Sequence, residues 1–277
     1  MQNYASEVLD LIDERFYLES KTNAIVNNGI KFKFTGVNTV TIYNVDVVAE
    51  NDYRRSGTMR YGELVELGDG VQDFILSQDK SFSISIDRGN REDSEMVLDI
   101  EEAVDRQVRE VSIPTVDVYR LAILTAYAVA NSQVATNALA YNDTFQKILI
   151  QRAALINAKV NLEDIVVYIN PTVEMYLWRD PEFKVACDRT NADRATGVLG
   201  NVMGMTIVVA PDSYFITNFG FLMVSKKVLV APTKFSEIKT GDGFPFGISG
   251  MVAFGRRYYD AFIPTNKGVA IRLHKIA

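Results

Sequence analysis

The chain has 277 residues, 48% hydrophobic and 23% charged, which is enough apolar matter for a large core and too much for wholesale disorder. Its formal charge is −6 at pH 7 and its basic residues fall in separated pairs (Arg54-Arg55, Lys226-Lys227, Arg256-Arg257), so nothing builds the basic stripe that a dedicated phosphate-backbone binder needs. One cysteine, Cys187, excludes an internal disulfide and a cysteine-built zinc centre, and fits synthesis in a reducing cytoplasm.

Residues 4–18 place Tyr4, Val8, Leu11, Ile12 and Phe16 on one helical face with acids opposite, which predicts a short amphipathic arm. Acids stand where a secretory signal would carry its basic region, so none is expected. The runs 30–34 and 39–48 alternate as strands do. In YGELVELGDGVQDFILS, residues 61–77, two strand-like runs flank Asp69-Gly70, a pair suited to the positive φ of a tight turn, and this predicts a hairpin. SFSISID, 81–87, alternates strictly, with Phe82, Ile84 and Ile86 on one face. The stretch from about 50 to 80 is thus a long excursion between strands. A lone two-stranded hairpin is marginal in water, so its apolar residues imply a surface to lie on.

A helix is expected from about Asp93 to Val111, with Val97, Ile100, Val104, Val108 and Val111 as its buried stripe. Pro114 removes a backbone donor and crowds the preceding turn, so this rod should end or kink near Ser112-Ile113. The next helix, 116–130, is apolar almost all round. Its most apolar part, 121–130, is shorter than the roughly 18–20 residues of a membrane span, so burial in protein and no membrane are predicted. Asp143 followed by Gln146 resembles a capping box at the start of TFQKILIQRAALINA. A buried strand is expected at 165–170 and a helix opening on Pro171. Strands ended by prolines are expected at 204–211 and 220–232, and further strand-like runs follow 233.

Chemistry is sparse. The only histidine, His274, reads as a surface residue near the end of the chain, and Cys187 as a small core residue. TGDGFPFGISG, 240–250, lacks the Gly-Lys-Ser/Thr ending of a phosphate loop, and the acidic run from Asp87 has Glu92 where a calcium loop needs glycine. No catalytic, metal-binding or cofactor-binding set emerges. A soluble α/β enzyme would require a pocket where acids such as Asp180, Glu182 or Asp188 converge.

The order of parts resembles the tailed-bacteriophage major capsid protein of the Hong Kong 97 type. The carriers are VNTVTIYNV and DYRRSG before the excursion, SFSISIDRGNRED after it, the rod EEAVDRQVREVSIPTVDVYRLAIL, DIVVYINPTVEMYL, and VLGNVMGMTIVVAPDSYF. The resemblance implies an α+β capsid fold with an N-terminal arm (1–35) and an E-loop hairpin region (36–88). A peripheral (P) domain with its long spine helix would take 89–130, an axial (A) domain 131–232, and return strands of the P-domain 233–277. It implies a structural protein without enzymatic activity or cofactor, assembled in the host bacterial cytoplasm and located in the virion. Hexamers and pentamers would form an icosahedral shell around double-stranded DNA held as non-specific content. A separate scaffolding protein and a portal would be partners, because the first strand begins near residue 30 and leaves no room for an internal scaffold. Lys80 lies only at the base of the excursion, so non-covalent contacts rather than cross-links are expected. Leu64, Leu67, Phe74 and Leu76 would pack on a neighbouring subunit, and Arg54 and Arg55 would meet its acids or simply be solvated. The alternatives are an encapsulin-type nanocompartment shell, the same fold around protein cargo, and more remotely the enzyme or another assembling virion component.

Overall fold

The computed structural model describes residues 20–30, 32–35, 38–45, 47–66, 69–93, 100–186, 198–243 and 247–277. The expected amphipathic arm, Leu67, Val97, Cys187 and Asp188 lie outside the described residues. The chain forms two compact units: a small one, Asn28–Ser77, and a large one made by the rest.

In chain order the strands are β1 (Phe32–Thr35), β2 (Thr39–Val45), β3 (Asp69–Ile75), β4 (Gln78–Asp87), β5 (Val134–Thr136), β6 (Ile165–Ile169), β7 (Val198–Val202), β8 (Met205–Val209), β9 (Phe219–Ser225), β10 (Thr233–Asp242), β11 (Gly250–Tyr259) and β12 (Ile271–Lys275). The large unit is organised by a mixed six-stranded sheet of order β5-β12-β9-β6-β8-β7. Its middle strands β6 and β9 are buried at every position, as continuous apolar runs covered on both faces should be. Strand parity divides them. Val166, Tyr168, Leu222 and Val224 face helix Ile113–Ala130 through Leu121, Leu124 and Ala128, with Ile25 joining the same core. Ile165, Val167, Ile169, Phe221 and Met223 face the other way, onto Phe145, Ile148 and Leu155 of helix Thr144–Asn157 and Val173 and Leu177 of helix Pro171–Arg179. That last helix opens as expected: Pro171 takes its first turn, and the Asn170 side chain caps it by accepting from Val173 N at 2.9 Å. The last strand, β12, sits inside this sheet between β5 and β9.

A second sheet, β10-β11-β4, lies under the first part of the rod. Ile86, Ile238 and Ala253 pack against Ile100, Val104, Val108 and Ile113, and Phe82 and Ile84 complete the inward row that the alternation of 81–87 predicts.

The rod, expected to end or kink near Ser112-Ile113, does not end there, and its regularity breaks at that place. Helix Ile100–Gln107 does not end. It continues through a π-helical turn, Val108–Ser112, into helix Ile113–Ala130. Ile113 N donates to the Val108 carbonyl, the i→i−5 bond of a π turn, and one residue past the proline Thr115 Oγ1 donates to the Val111 carbonyl at 2.6 Å. The wider turn also rotates the buried stripe. Ile100, Val104 and Val108 are buried as predicted, but Val111 is 49% exposed and Ser112 and Ile113 take its inward place. By length and composition, Ile100–Ala130 is apolar enough to cross a membrane. Near the middle of its second half, however, Asp117 and Arg120 are buried in polar contacts described below.

The start of helix Thr144–Asn157 also differs from the capping-box reading. Asp143 holds the N-cap position, but its side chain turns back to accept from Ala140 N (2.9 Å) and pairs with Lys147 (2.6 Å). A charged partner one turn along outweighs the weaker bond to a helix amide.

Candidate assembly surface

The small unit is a three-stranded antiparallel sheet, β1-β2-β3, and its register assigns two faces. Val40 pairs with Phe34 on one side and Phe74 on the other, and Ile42 with Phe32 and Gln72, so these side chains share one face. Val40 and Ile42 are buried. The opposite face carries a polar row: Thr41 Oγ1 donates to Asp73 Oδ1 at 2.6 Å and lies 3.1 Å from Thr35 Oγ1. On that face Tyr43, Val71 and Ile75 are all more than half exposed.

The hairpin expected at 61–77 is not formed. Asp69 and Gly70 lie within β3, opposite Val45 and Asn44, and the paired strands are β2 and β3. A two-residue turn preference is local and weak beside a seven-pair ladder whose apolar positions match. The excursion is therefore the connection between β2 and β3, and its described part, 47–66, contains no strand.

That connection is ordered by its own contacts. Arg54 N donates to the Arg60 carbonyl and Gly62 N to that of Met59, and the rings of Tyr53 and Tyr61 meet edge-on at 5.0 Å. Gly62 has φ +89°, a backbone region that any other residue would occupy under strain, and it returns the chain beside Asn51. Within this folded loop the apolar residues point outward. Leu64 is 99% exposed, Val47 93% and Tyr61 84%. Among the described residues these apolar side chains have no cover, and exposed apolar surface of this kind marks interaction sites.

The sequence-predicted contact residues divide accordingly. Leu64 is fully outward, and Arg54 and Arg55 are exposed. Phe74 is half-buried on the covered face of the small sheet, and Leu76, expected to meet a neighbour, is instead buried within its own chain at 3% exposure, with Leu76 N donating to the Asn38 carbonyl. Parity is the reason: in β3 the outward set is Val71, Asp73 and Ile75, so Phe74 and Leu76 turn inward together. Val65 and Ile75, which belong to the same apolar set that the sequence reading left in need of a surface, are exposed, whereas Val47, Tyr53, Met59, Tyr61 and Val71 were missed, although the alternation of 71–75 would have singled out the last.

In the large unit a buried polar cluster acts as a clamp. Asp117 is 1% exposed, and its carboxylate accepts from Ser20 Oγ, Thr22 Oγ1 (2.6 Å) and Lys21 N (2.9 Å). Arg120 donates to Thr22 Oγ1, and Tyr168 OH to the Lys21 carbonyl. Burial holds the Tyr168 phenol far above its ordinary value, with Asp117 adding to it, so it stays a neutral donor. Residues 20–22 are thereby fastened onto the core just before the chain enters the small unit.

Of the acids named for a pocket, Asp180 and Glu182 are described, and Asp188 lies outside the described residues. Asp180 is buried and accepts from Glu182 N at 3.0 Å as a helix cap, while Glu182 is exposed. No group of His, Cys, Asp and Glu among the described residues could hold a metal ion. His274, expected at the surface, is 1% exposed, because β12 is an inner strand.

No family model and no curated protein matches the chain. Solved structures do. A structure from Microbacterium phage Oxtober96 superposes with a TM-score of 0.67 at 8% identity, covering 93% of this chain and 91% of its own. The capsid structure of Cyanophage P-SCSP1u gives 0.62 at 11% identity over 88% and 85%. The mature capsid of bacteriophage PhiM1 gives 0.61 at 11% over 93% and 87%. Such identities speak for architecture alone, and they do so across nearly the whole chain. The chain shares the α+β fold of these phage capsid structures.

Proposed function

We propose that this protein is a phage coat protein, the subunit of an icosahedral shell built from its own hexamers and pentamers around double-stranded DNA. The observation that carries the reading is the small unit: an ordered excursion that displays Leu64, Tyr61 and Val47 outward, on a chain with a capsid fold. Such a surface is stable only when covered, and in a self-assembling shell a second copy covers it. Leu64 would be a central contact, with Leu67 beside it in sequence and Phe74 contributing its exposed edge. Arg54 and Arg55 would pair with acids of the neighbour. The net charge of −6 suits a wall that lets packaged DNA slide rather than pinning it. The subunit then acts in the virion, with a scaffolding protein and a portal as assembly partners, and its role is structural, not catalytic.

Electron microscopy of the purified protein, with and without scaffold or a crowding agent, tests this. Closed shells or capsomer rings are the expected result. Small shells filled with protein would instead mark an encapsulin-type compartment, and a chain that stays monomeric under every condition would overturn the assembly reading.

A further inference from the structure

His274 has no hydrogen-bond partner at either ring nitrogen among the described residues. Its ring lies flat on Phe221, centroids 4.8 Å apart and planes 16° apart. Gly220 packs so closely that a Cβ there would stand 2.7 Å from Nδ1 and 3.1 Å from Leu139 Cδ1. The neutral imidazole thus serves as an apolar plate in the wall of the core. An imidazolium in the same place would bring a charge and two unmet N–H donors into a buried site.

Among the described residues, two charged groups act on the ring. They are Lys147 of helix Thr144–Asn157 and Asp143 at its N-cap. The neighbouring strands offer Phe221 and Ala135 opposite it, neither titratable, and the nearest charges on β12 itself are Arg272 and Lys275. Asp143 is already engaged, by Lys147 and by Ala140 N, and Lys147 Nζ also donates to the Ala138 carbonyl. Thr144 Oγ1 donates to the Ala140 carbonyl at 2.6 Å, and Asn137 N to the Lys275 carbonyl at 3.2 Å. These few bonds tie down the segment 137–143, whose Leu139 rests beside the ring.

We propose that His274 is a proton-operated switch for the segment 137–143: the neutral ring holds it closed, and protonation draws Asp143 away from Lys147 and Ala140 and releases it. Among the described residues Asp143 is the one carboxylate whose charge acts on the ring, so a charged His274 is satisfied there by taking it or by opening to water. Either outcome breaks the bonds that hold 137–143. Acid then softens the β5-β12 side of the sheet before the helices that cover its middle. The switch is a property of the subunit and does not depend on its assembling.

Amide hydrogen exchange on the unassembled full chain, at about pH 7.5 and about pH 5.5 and corrected for intrinsic rates, reads it directly. In the wild type, protection of 137–143 should fall about tenfold or more on acidification while helix Pro171–Arg179 is unchanged. In His274→Phe, which keeps the plate and takes no proton, it should not fall. Equal loss in both proteins, or none in the wild type, would overturn the proposal. If the variant does not fold, the ring signals of the only histidine in the wild-type chain decide by NMR. A midpoint below the ordinary 6.5, with amide shifts of 137–143 moving in step, supports the switch; a midpoint at 6.5 with those shifts still overturns it.

Discussion

The two units spend their apolar residues in opposite ways. The large unit closes three cores of its own, with strands such as β6 and β9 buried along their whole length. The small unit buries Val40 and Ile42 but leaves Leu64, Val47, Tyr61, Ile75 and Val71 outward. Apolar exposure on that scale is a poor way to stabilise a monomer and a good way to store association free energy. The large unit covers its apolar residues itself, and the small unit leaves several of its own for the proposed neighbour.

The contrast is broken most forcefully by a pair of substitutions. Leu124→Ala, at a fully buried position between helix Ile113–Ala130 and the sheet, should cost about 2–5 kcal/mol in the denaturant midpoint of the unassembled chain. Leu64→Asp should leave that midpoint within ~0.5 kcal/mol and abolish shell formation. Shells that still close with Asp at 64 would end the view of the excursion as an assembly surface.

Next in size is the clamp. Asp117→Ala leaves Ser20, Thr22 and the Lys21 amide without their acceptor and should cost ~1–3 kcal/mol. Limited proteolysis should then cut within 20–27 faster than in the wild type; unchanged cleavage would mean that Ile25 and its core contacts suffice.

A comparison inside the small sheet sharpens the parity argument. Val40→Ala removes two methyl-sized groups from a buried position and should cost about 1.5 kcal/mol. Ile75→Ser, at an outward position, should cost less than ~0.5 kcal/mol and act on assembly instead.

Acidification gives a graded effect confined to the large unit. Burial holds the His274 pKa below 6.5, Lys147 lowers it further, and Asp143 opposes them. The unfolded chain therefore binds the proton more readily, so stability is complete above 6.5 and declines as pH falls through 6.5 toward the folded value. In His274→Phe that decline should be absent from the midpoint-versus-pH curve. The smallest effect belongs to Arg256 and Asp79, which pair at 2.6 Å across β11 and β4. The Arg256 hydrogen bond keeps the Asp79 carboxyl below its usual range, but both side chains stand in solvent, and Arg256→Ala should leave the midpoint unchanged.

Much of this was legible without coordinates. Five- to seven-residue apolar runs such as IVVYI and FGFLMVS can satisfy themselves only as doubly covered strands, and Asn170-Pro171 starts a helix by local chemistry alone. Leu64 is exposed as an apolar residue without a core of its own would be, and the long excursion between strands that carries it was likewise readable, although not in its form. The partner of β3 was not. Asp69-Gly70 satisfies turn geometry locally, whereas the ladder with β2 depends on side chains some thirty residues away in sequence. Nor was the π turn, whose extra residue moved the buried stripe from Val111 to Ser112 and Ile113. The burial of His274 followed from β12 threading between β5 and β9, a long-range pairing to which a position near the chain end is no guide. Local pattern sets which segments form elements and which residues want cover. Tertiary pairing decides which face of each is covered, because that depends on neighbours brought together only when the chain folds.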